Sequence, residues 1–280
     1  MTILITGARG KVGRAVLDRL HTAGHAVRAA SKNPADLRVP ADVEAVELVL
    51  NDPGTFESAL RGVSQVFLYP EPEGIDEFLR TAEAAGVKHI VLLSSSAVLS
   101  PDAENNGLAR PSVLVERALA ASNLTATVLR PDAFAANALA WSHVIRRKLP
   151  VQLAYPEASV APIHSDDIAD IAVEAFTGDT LTGQTVVLTG AQSLTFREQL
   201  AIISGLLGRD ITVEHITRAE AERQLVQHVP VEVATSLLDY WAVAADGPAP
   251  VADTTDTTDT LLGVPARTFE QWARENLAAF

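Results

Sequence analysis

A chain of 280 residues, 48% hydrophobic and 20% charged, is long enough to bury a sizeable core, and its composition excludes disorder as the main state. The net charge of −13 argues against a nucleic-acid partner, because phosphate contacts need clustered Lys and Arg. The absence of cysteine removes disulfides, thiolate nucleophiles and Cys-ligated metals, and no zinc-ligand spacing occurs, so no metal is expected. With no basic n-region and no apolar run approaching ~20 residues, the expectation is a soluble cytoplasmic chain without a membrane partner.

The opening reads ILITGARGKVGRAV. An apolar run at 3–5 is followed by Gly7, Gly10 and Gly13, and then by Val12, Val16 and Leu20 on one helical face. That is a buried strand, a glycine turn and a helix start. Such a turn lets backbone N–H groups approach a pyrophosphate and aims a helix N-terminus at its charge. Three glycines can also simply make a tight turn; their place between strand and helix favours a dinucleotide.

The first helix ends near Gly24. A second strand is predicted over 25–30, closed by Ser31-Lys32-Asn33-Pro34, and a third over 46–50 before Asn51-Asp52-Pro53-Gly54. Phe56, Ala59 and Leu60 fit a short helix, 66–69 a fourth strand ended by Pro70 and Pro72, and 75–85 a helix stopped by Gly86. The fifth strand, 89–93, runs into Ser94-Ser95-Ser96; a polar loop at 100–110, a helix at 113–121 and a sixth strand at 125–129 follow. Strands apolar on both faces and spaced by helices mean a parallel sheet covered on two sides.

The second part is less regular. Residues 134–145 read as helical, 168–176 as an amphipathic helix opened by Ser165-Asp166-Asp167, and 185–188 as a strand. A helix over 196–207 has Thr195 as its cap, 211–216 alternate like an edge strand, and a helical region runs to about Trp241. Residues 246–260 form a low-complexity connector, and a last helix over 268–278 buries Phe269, Trp272 and Leu277. The expected fold is α/β: a doubly wound parallel sheet of Rossmann type over 1–132, with helix 168–177 and strand 185–189 packing back on it, and a smaller α+β substrate region, mainly 133–280.

The segments ITGARGKVGRAV, FESALRGVSQVFLYP, AAGVKHIVLLSSSAV, LTATVLRPDAFAAN, IHSDDIADIA and TFEQWARENLAAF, in this order, resemble the NmrA-like group of atypical short-chain dehydrogenase/reductases, which includes NADPH-dependent dye and quinone reductases. The resemblance covers most of the chain. It implies an NADP or NAD cofactor across the C-terminal edge of the sheet, with Gly7, Arg9, Gly10, Lys11, Val12 and Gly13 around the pyrophosphate. It also implies that Tyr69, Pro70, Ser94 and Ser95 flank ribose and nicotinamide.

Charge argues the choice of cofactor separately. NAD binding uses an acid at the end of the second strand to accept from the ribose 2′-OH. Here Ala29, Ala30, Ser31 and Lys32 stand there, while Arg9 and Lys32 or Arg28 offer cations to a 2′-phosphate. NADP(H) is therefore expected over NAD(H), with Ser31 and Lys32 beside it.

Many short-chain reductases protonate substrate with a Tyr activated by a Lys four residues later. Tyrosines occur only at 69, 155 and 240, followed four residues on by Glu73, Ser159 and Ala244; the dyad would fall near Leu108 and Ser112. Without it, hydride transfer to a conjugated carbonyl, quinone or dye remains feasible, because charge spreads into the acceptor and water can supply the proton. Candidates for orienting or protonating the acceptor are Ser95, Tyr69 and His164. Phe134, Trp141 and Tyr155, with Tyr240 and Trp241, would stack on a flat substrate or equally serve as core. Asp166 and Asp167 fit a helix start better than acid–base or metal chemistry. The expected function is an NADPH-dependent oxidoreductase of a small conjugated molecule, with a role in secondary metabolism; an NADP-sensing regulator and a non-redox isomerase or cyclase are the alternatives.

Overall fold

A computed structural model describes residues 1–247 and 257–280, so residues 248–256 of the predicted connector lie outside the described residues. In chain order the strands and helices are β1 (Thr2–Ile5), α1 (Lys11–Thr22), β2 (Ala26–Ser31), β3 (Glu44–Glu47), α2 (Phe56–Leu60), β4 (Val63–Leu68), α3 (Ile75–Ala85), β5 (His89–Leu93), α4 (Arg110–Ala121) and β6 (Thr125–Pro131). There follow α5 (Ser142–Arg146), β7 (Val151–Leu153), β8 (Ser159–Val160), α6 (Ser165–Thr177), β9 (Thr185–Leu188), β10 (Leu194–Thr195), α7 (Phe196–Leu207), β11 (Val213–His215), α8 (Arg218–Leu225), α9 (Val231–Asp246), α10 (Thr257–Leu262) and α11 (Phe269–Glu275). Among the described residues no helix is long and apolar enough to cross a membrane.

Seven strands form one sheet in the order β3-β2-β1-β4-β5-β6-β9. The first six pair in parallel, and β9 joins β6 in rising register through Val128 N–H to Gln184 O (2.8 Å) and Asp132 N–H to Leu188 O (2.9 Å). The order reverses between β1 and β4, and in a doubly wound sheet the crevice at that switch is where ligands bind. The expected Rossmann-type α/β fold is what the chain adopts.

The chain divides into two compact units. The first comprises residues 1–98, 111–130 and 165–186. On one face of its sheet Leu4, Val66, Leu68, Ile90 and Leu92 pack with Phe56, Phe78 and Val115, and the Phe56 and Phe78 rings meet edge to face at 5.5 Å. Helices α1 and α6 pack on one another, and Arg19 of α1 bridges Asp166 (3.0 Å) and Asp170 (2.6 Å) of α6. Asp166 and Asp167 occupy the first turn of α6, where acids favour the helix dipole.

The second unit comprises residues 99–110, 131–164 and 187–280. Phe269, Trp272 and Phe280 pack with Leu200, Ile203 and Ala138, while Trp141, Phe196 and Trp241 form a second aromatic cluster. Thr195, Thr217 and Thr268 each close a capping box that starts a helix.

Several predicted boundaries shift for local reasons. The third strand lies at Glu44–Glu47 rather than 46–50, because Val49 leaves the ladder to donate its N–H to Thr55 Oγ1 (3.1 Å). The stretch predicted as one helix over 134–145 is a 3-10 helix, Ala135–Trp141, followed by α5; Phe134 is extended and bridges Ile163 in parallel. Strand β11 pairs in parallel with β7, a partner that periodicity did not reveal.

Candidate cofactor and active site

The glycine turn leaves β1 with Gly7 at φ +62°, a left-handed conformation that costs a residue with a Cβ. Gly10 N–H returns to Gly7 O (2.8 Å), and Arg14 N–H to Gly10 O (2.9 Å) starts α1. A Cβ on Gly13 would lie 2.5 Å from Gly7 O and 2.9 Å from Gly7 C, so only glycine lets the helix sit this close to the turn. Gly10 caps α1 with no side-chain hydrogen bond, and no acid stands in the first turn. The helix therefore presents its N–H groups and partial positive charge uncompensated, flanked by the exposed Arg9 and Lys11. Val12 is buried and anchors the turn to the core. These features fit a pyrophosphate.

At the end of β2, Ser31 Oγ accepts from Asn33 N–H (3.2 Å), and Lys32 is exposed. Arg28 does not belong to this edge. It sits inside β2, where it pairs with Glu44 (2.7 Å) and donates to Ala59 O (2.8 Å) and Arg61 O (2.9 Å), so its expected role toward a phosphate is withdrawn. One carboxylate escaped the sequence argument: Glu47 of β3 stands in register with Ser31.

Thr6 binds the ends of β1 and β4 together. Its N–H and Oγ1 both donate to Phe67 O (3.0 and 2.9 Å), and Oγ1 accepts from Tyr69 N–H (2.7 Å). Tyr69 is 55% exposed, and its side chain lies against Gly7, where an added Cβ would meet it at 3.5 Å; Pro70 follows, half-buried. At the end of β5, Ser94 is buried, with Oγ donating to Glu116 Oε1 (2.5 Å), while Ser95 is half-buried and its Oγ accepts from Ala97 N–H (3.2 Å). Glu116 of α4 is held in turn by Arg130 (2.5 Å). Ser112, where a catalytic Lys would fall, is buried, and Leu108 precedes the helix.

The remaining candidates belong to the second unit. His164 is buried with Nε2 3.0 Å from Glu275 Oε2. Trp141 packs edge-on against Phe196 at 5.8 Å, and Phe196 against Trp241 at 5.4 Å, which is core packing. Tyr155 neighbours Arg218, which pairs with Asp239 (2.7 Å). Tyr240 donates to Asp132 Oδ1 (3.4 Å); burial first, and then the Asp132 charge, push its phenol well above the usual range and keep it protonated. Phe134 is half-buried.

Residues 7–179 match the family described as NAD(P)H-binding. The chain belongs to that family. It is an oxidoreductase. It is 36% identical over 282 residues to the (4-alkanoyl-5-oxo-2,5-dihydrofuran-3-yl)methyl phosphate reductase of Streptomyces griseus, covering 99% of each chain. It is 30% identical over 286 residues to the NAD(P)H azoreductase of Xenophilus azovorans, again with 99% of each covered. The solved structure of an NADPH-dependent quinone oxidoreductase from Escherichia coli superposes with a TM-score of 0.83 at 26% identity, over 98% of this chain and 99% of that one.

Within this oxidoreductase the first unit brings the glycine turn, Tyr69 and the Ser94-Ser95 strand end to one edge of the sheet, because parallel strands deliver their C-terminal ends to the same side. Sequence reasoning missed Thr6, Glu116 and the gripping role of Arg130. A signal existed for Glu116: it lies four residues beyond Ser112, on the same face of α4.

Proposed function

We propose that the chain is an NADPH-dependent reductase of a conjugated carbonyl compound, with an acyl-butenolide, a quinone or a comparable aromatic acceptor as substrate. The observation that carries this is the missing Tyr-Lys acid: Leu108, in the loop before α4, and Ser112, in its first turn, stand where the Tyr and Lys would fall, and Glu116 further along α4 is already paired to Arg130. A simple ketone needs a positioned general acid as its oxygen takes up charge. A double bond conjugated to two carbonyls does not. The Streptomyces relative is named for such a molecule, and its likeness over the whole chain supports the same acceptor class here.

A bound cofactor would supply a hydride to the carbon β to the carbonyls. The electron pair of the double bond moves onto the carbonyl oxygens as an enolate, and a proton from water completes the product at the α carbon. In our reading Gly7, Gly10, Gly13 and Val12 shape the pyrophosphate site, Arg9 and Lys11 add charge, and Ser31 with Lys32 lies at the adenosine 2′ position. Tyr69, Pro70, Ser94 and Ser95 hold the ribose and nicotinamide half. Ser95, whose proton is still to give, orients the acceptor oxygen. Within the second unit Trp141 is committed to packing against Phe196, and His164 to Glu275.

Preference for NADPH over NADH rests on Arg9 and Lys32 and on the lack of an acid at positions 29–32, with Glu47 as the opposing charge. Following NADPH absorbance with a 3-acyl butenolide, a quinone, an azo dye and a saturated ketone tests the whole reading. Oxidation by at least one conjugated acceptor and none by the ketone is expected. A ketone reduced as fast as the best conjugated acceptor, or silence across the panel despite tight NADPH binding, would overturn it.

A further inference from the structure

The carboxylate of Glu116 lies where α4 meets the ends of β5 and β6. Arg130 grips both of its oxygens, Nε to Oε1 at 3.0 Å and Nη2 to Oε2 at 2.5 Å, and Ser94 Oγ donates to Oε1 at 2.5 Å. The Glu116 and Arg130 side chains are 16% and 22% exposed, and Ser94 only 5%. Ser94 N–H is spent on Leu129 O (2.7 Å), one residue on from the paired Leu93 and Leu129.

These bonds fix the polarity of one hydroxyl. A carboxylate clasped by a guanidinium is ionised, and an ionised carboxylate only accepts hydrogen bonds. The Ser94 proton is therefore committed to Glu116, and the oxygen keeps nothing but lone pairs for a further partner. Ser95 is the reverse case. Its oxygen accepts from Ala97 N–H, and its proton remains to be given.

We propose that Glu116 is a positioning residue for the nicotinamide half of the cofactor: by taking the Ser94 proton it makes Ser94 an acceptor for the donors that half carries, its carboxamide N–H and ribose hydroxyls, and leaves Ser95 as the donor of the pair. The inference rests on the reading that the ends of β4 and β5 hold ribose and nicotinamide. It assigns opposite hydrogen-bonding roles to two adjacent serines that the sequence presents as equivalent.

Glu116→Gln tests it with little change of volume. The Gln carbonyl keeps the shorter of the two guanidinium bonds, from Arg130 Nη2 (2.5 Å), so the N–H₂ takes the Oε1 place that Arg130 Nε and Ser94 share, and the hydroxyl proton is turned outward. Dissociation constants are measured by titration with NADPH and with 2′,5′-ADP, which lacks the nicotinamide half; ADP replaces the latter should the wild-type chain bind it more tightly. The expected result is an NADPH Kd raised about tenfold with the fragment Kd changed less than about twofold. Ser94→Ala, which leaves the Glu116–Arg130 pair in place, should reproduce that split and covers the case in which the Gln variant does not fold. Equal weakening of both ligands by Glu116→Gln with Ser94→Ala silent would make Glu116 a brace only and overturn the proposal, as would NADPH binding unchanged in both variants. Tyr69→Ala and Ser95→Ala separate the two levels. If they weaken NADPH while Glu116→Gln does not, only the role of Glu116 falls; if none of the three does, the placement of the nicotinamide half falls with it.

Discussion

Replacing Gly13 by Ala puts the cofactor cradle under a defined load. The new Cβ would lie 2.5 Å from Gly7 O, 2.9 Å from Gly7 C and 3.1 Å from Thr6 O, all backbone atoms that no rotamer change can move away. Side-chain carbons essentially never approach closer than 3.0 Å, so turn and helix must part by roughly half an ångström or more. Overpacking of that kind costs ~1–3 kcal/mol, while Ala in a helix interior returns ~1 kcal/mol over Gly. The net expectation is a destabilisation of about 0–2 kcal/mol. Cofactor affinity should suffer more, because the N–H groups that would face the pyrophosphate are the ones displaced. Losing one charge-assisted bond, ~1.5–3 kcal/mol, is about a ten- to hundredfold rise in the NADPH Kd. Gly205→Ala in α7 is the control: its Cβ would meet nothing within 4 Å, so the same substitution should stabilise by about 0.5–1 kcal/mol and leave NADPH binding alone. Thermal melts and fluorescence titrations read both effects. A Gly13→Ala chain that binds NADPH as the wild type does would refute the close-approach argument.

Further outcomes follow from single residues. The double variant Arg9→Ala, Lys32→Ala should raise the Kd for NADPH about ten- to hundredfold and that for NADH less than about threefold, and equal effects would remove the 2′-phosphate argument. Glu47→Gln, which deletes the carboxylate in register with Ser31, should tighten NADPH by a few-fold in low salt, as isothermal titration would record. His89 is buried, with Nε2 2.9 Å from Thr127 Oγ1, which itself donates to Leu181 O (2.6 Å). Burial lowers its pKa below the ordinary value of about 6.5, so on acidification the unfolded chain takes up the proton first. Its contribution to stability is whole above about pH 6.5 and declines as pH falls below that; urea melts of His89→Asn should lack this acid-side loss, and an unchanged slope would contradict the assignment. Thr195→Ala removes a capping box and should cost about 1 kcal/mol in the same melts without changing NADPH affinity.

Much of this molecule was legible because its signals are local. The glycine turn is written in three residues whose backbone freedom or lack of a Cβ is needed within one strand-to-helix connection, and the caps at Thr195 and Thr268 are read from residues three positions apart. The strand ends at Tyr69 and Ser94-Ser95 follow from apolar runs stopped by proline or serine, and the missing dyad is a plain fact of where the tyrosines stand. Local patterns also mislead where geometry is not the default. Residues 134–145 have helical periodicity, yet the extended Phe134 is tied to Ile163, and a 3-10 turn takes up the start.

The sequence by itself determined that a strand, a glycine turn and a helix open the chain, that a parallel sheet follows, and that no Tyr-Lys acid is available. Only the tertiary structure decided which polar groups are spent. Arg28 and Lys32 look interchangeable in a string of letters, but one is bound by Glu44 and two carbonyls while the other is exposed. Ser94 and Ser95 are neighbours of one kind, but only the first meets Glu116, 22 residues away. The physical reason is that periodicity records which face of its own element a side chain occupies. Which donor meets which acceptor is set by register between strands and by the helix laid across them, and a parallel sheet brings those partners together from distant parts of the chain.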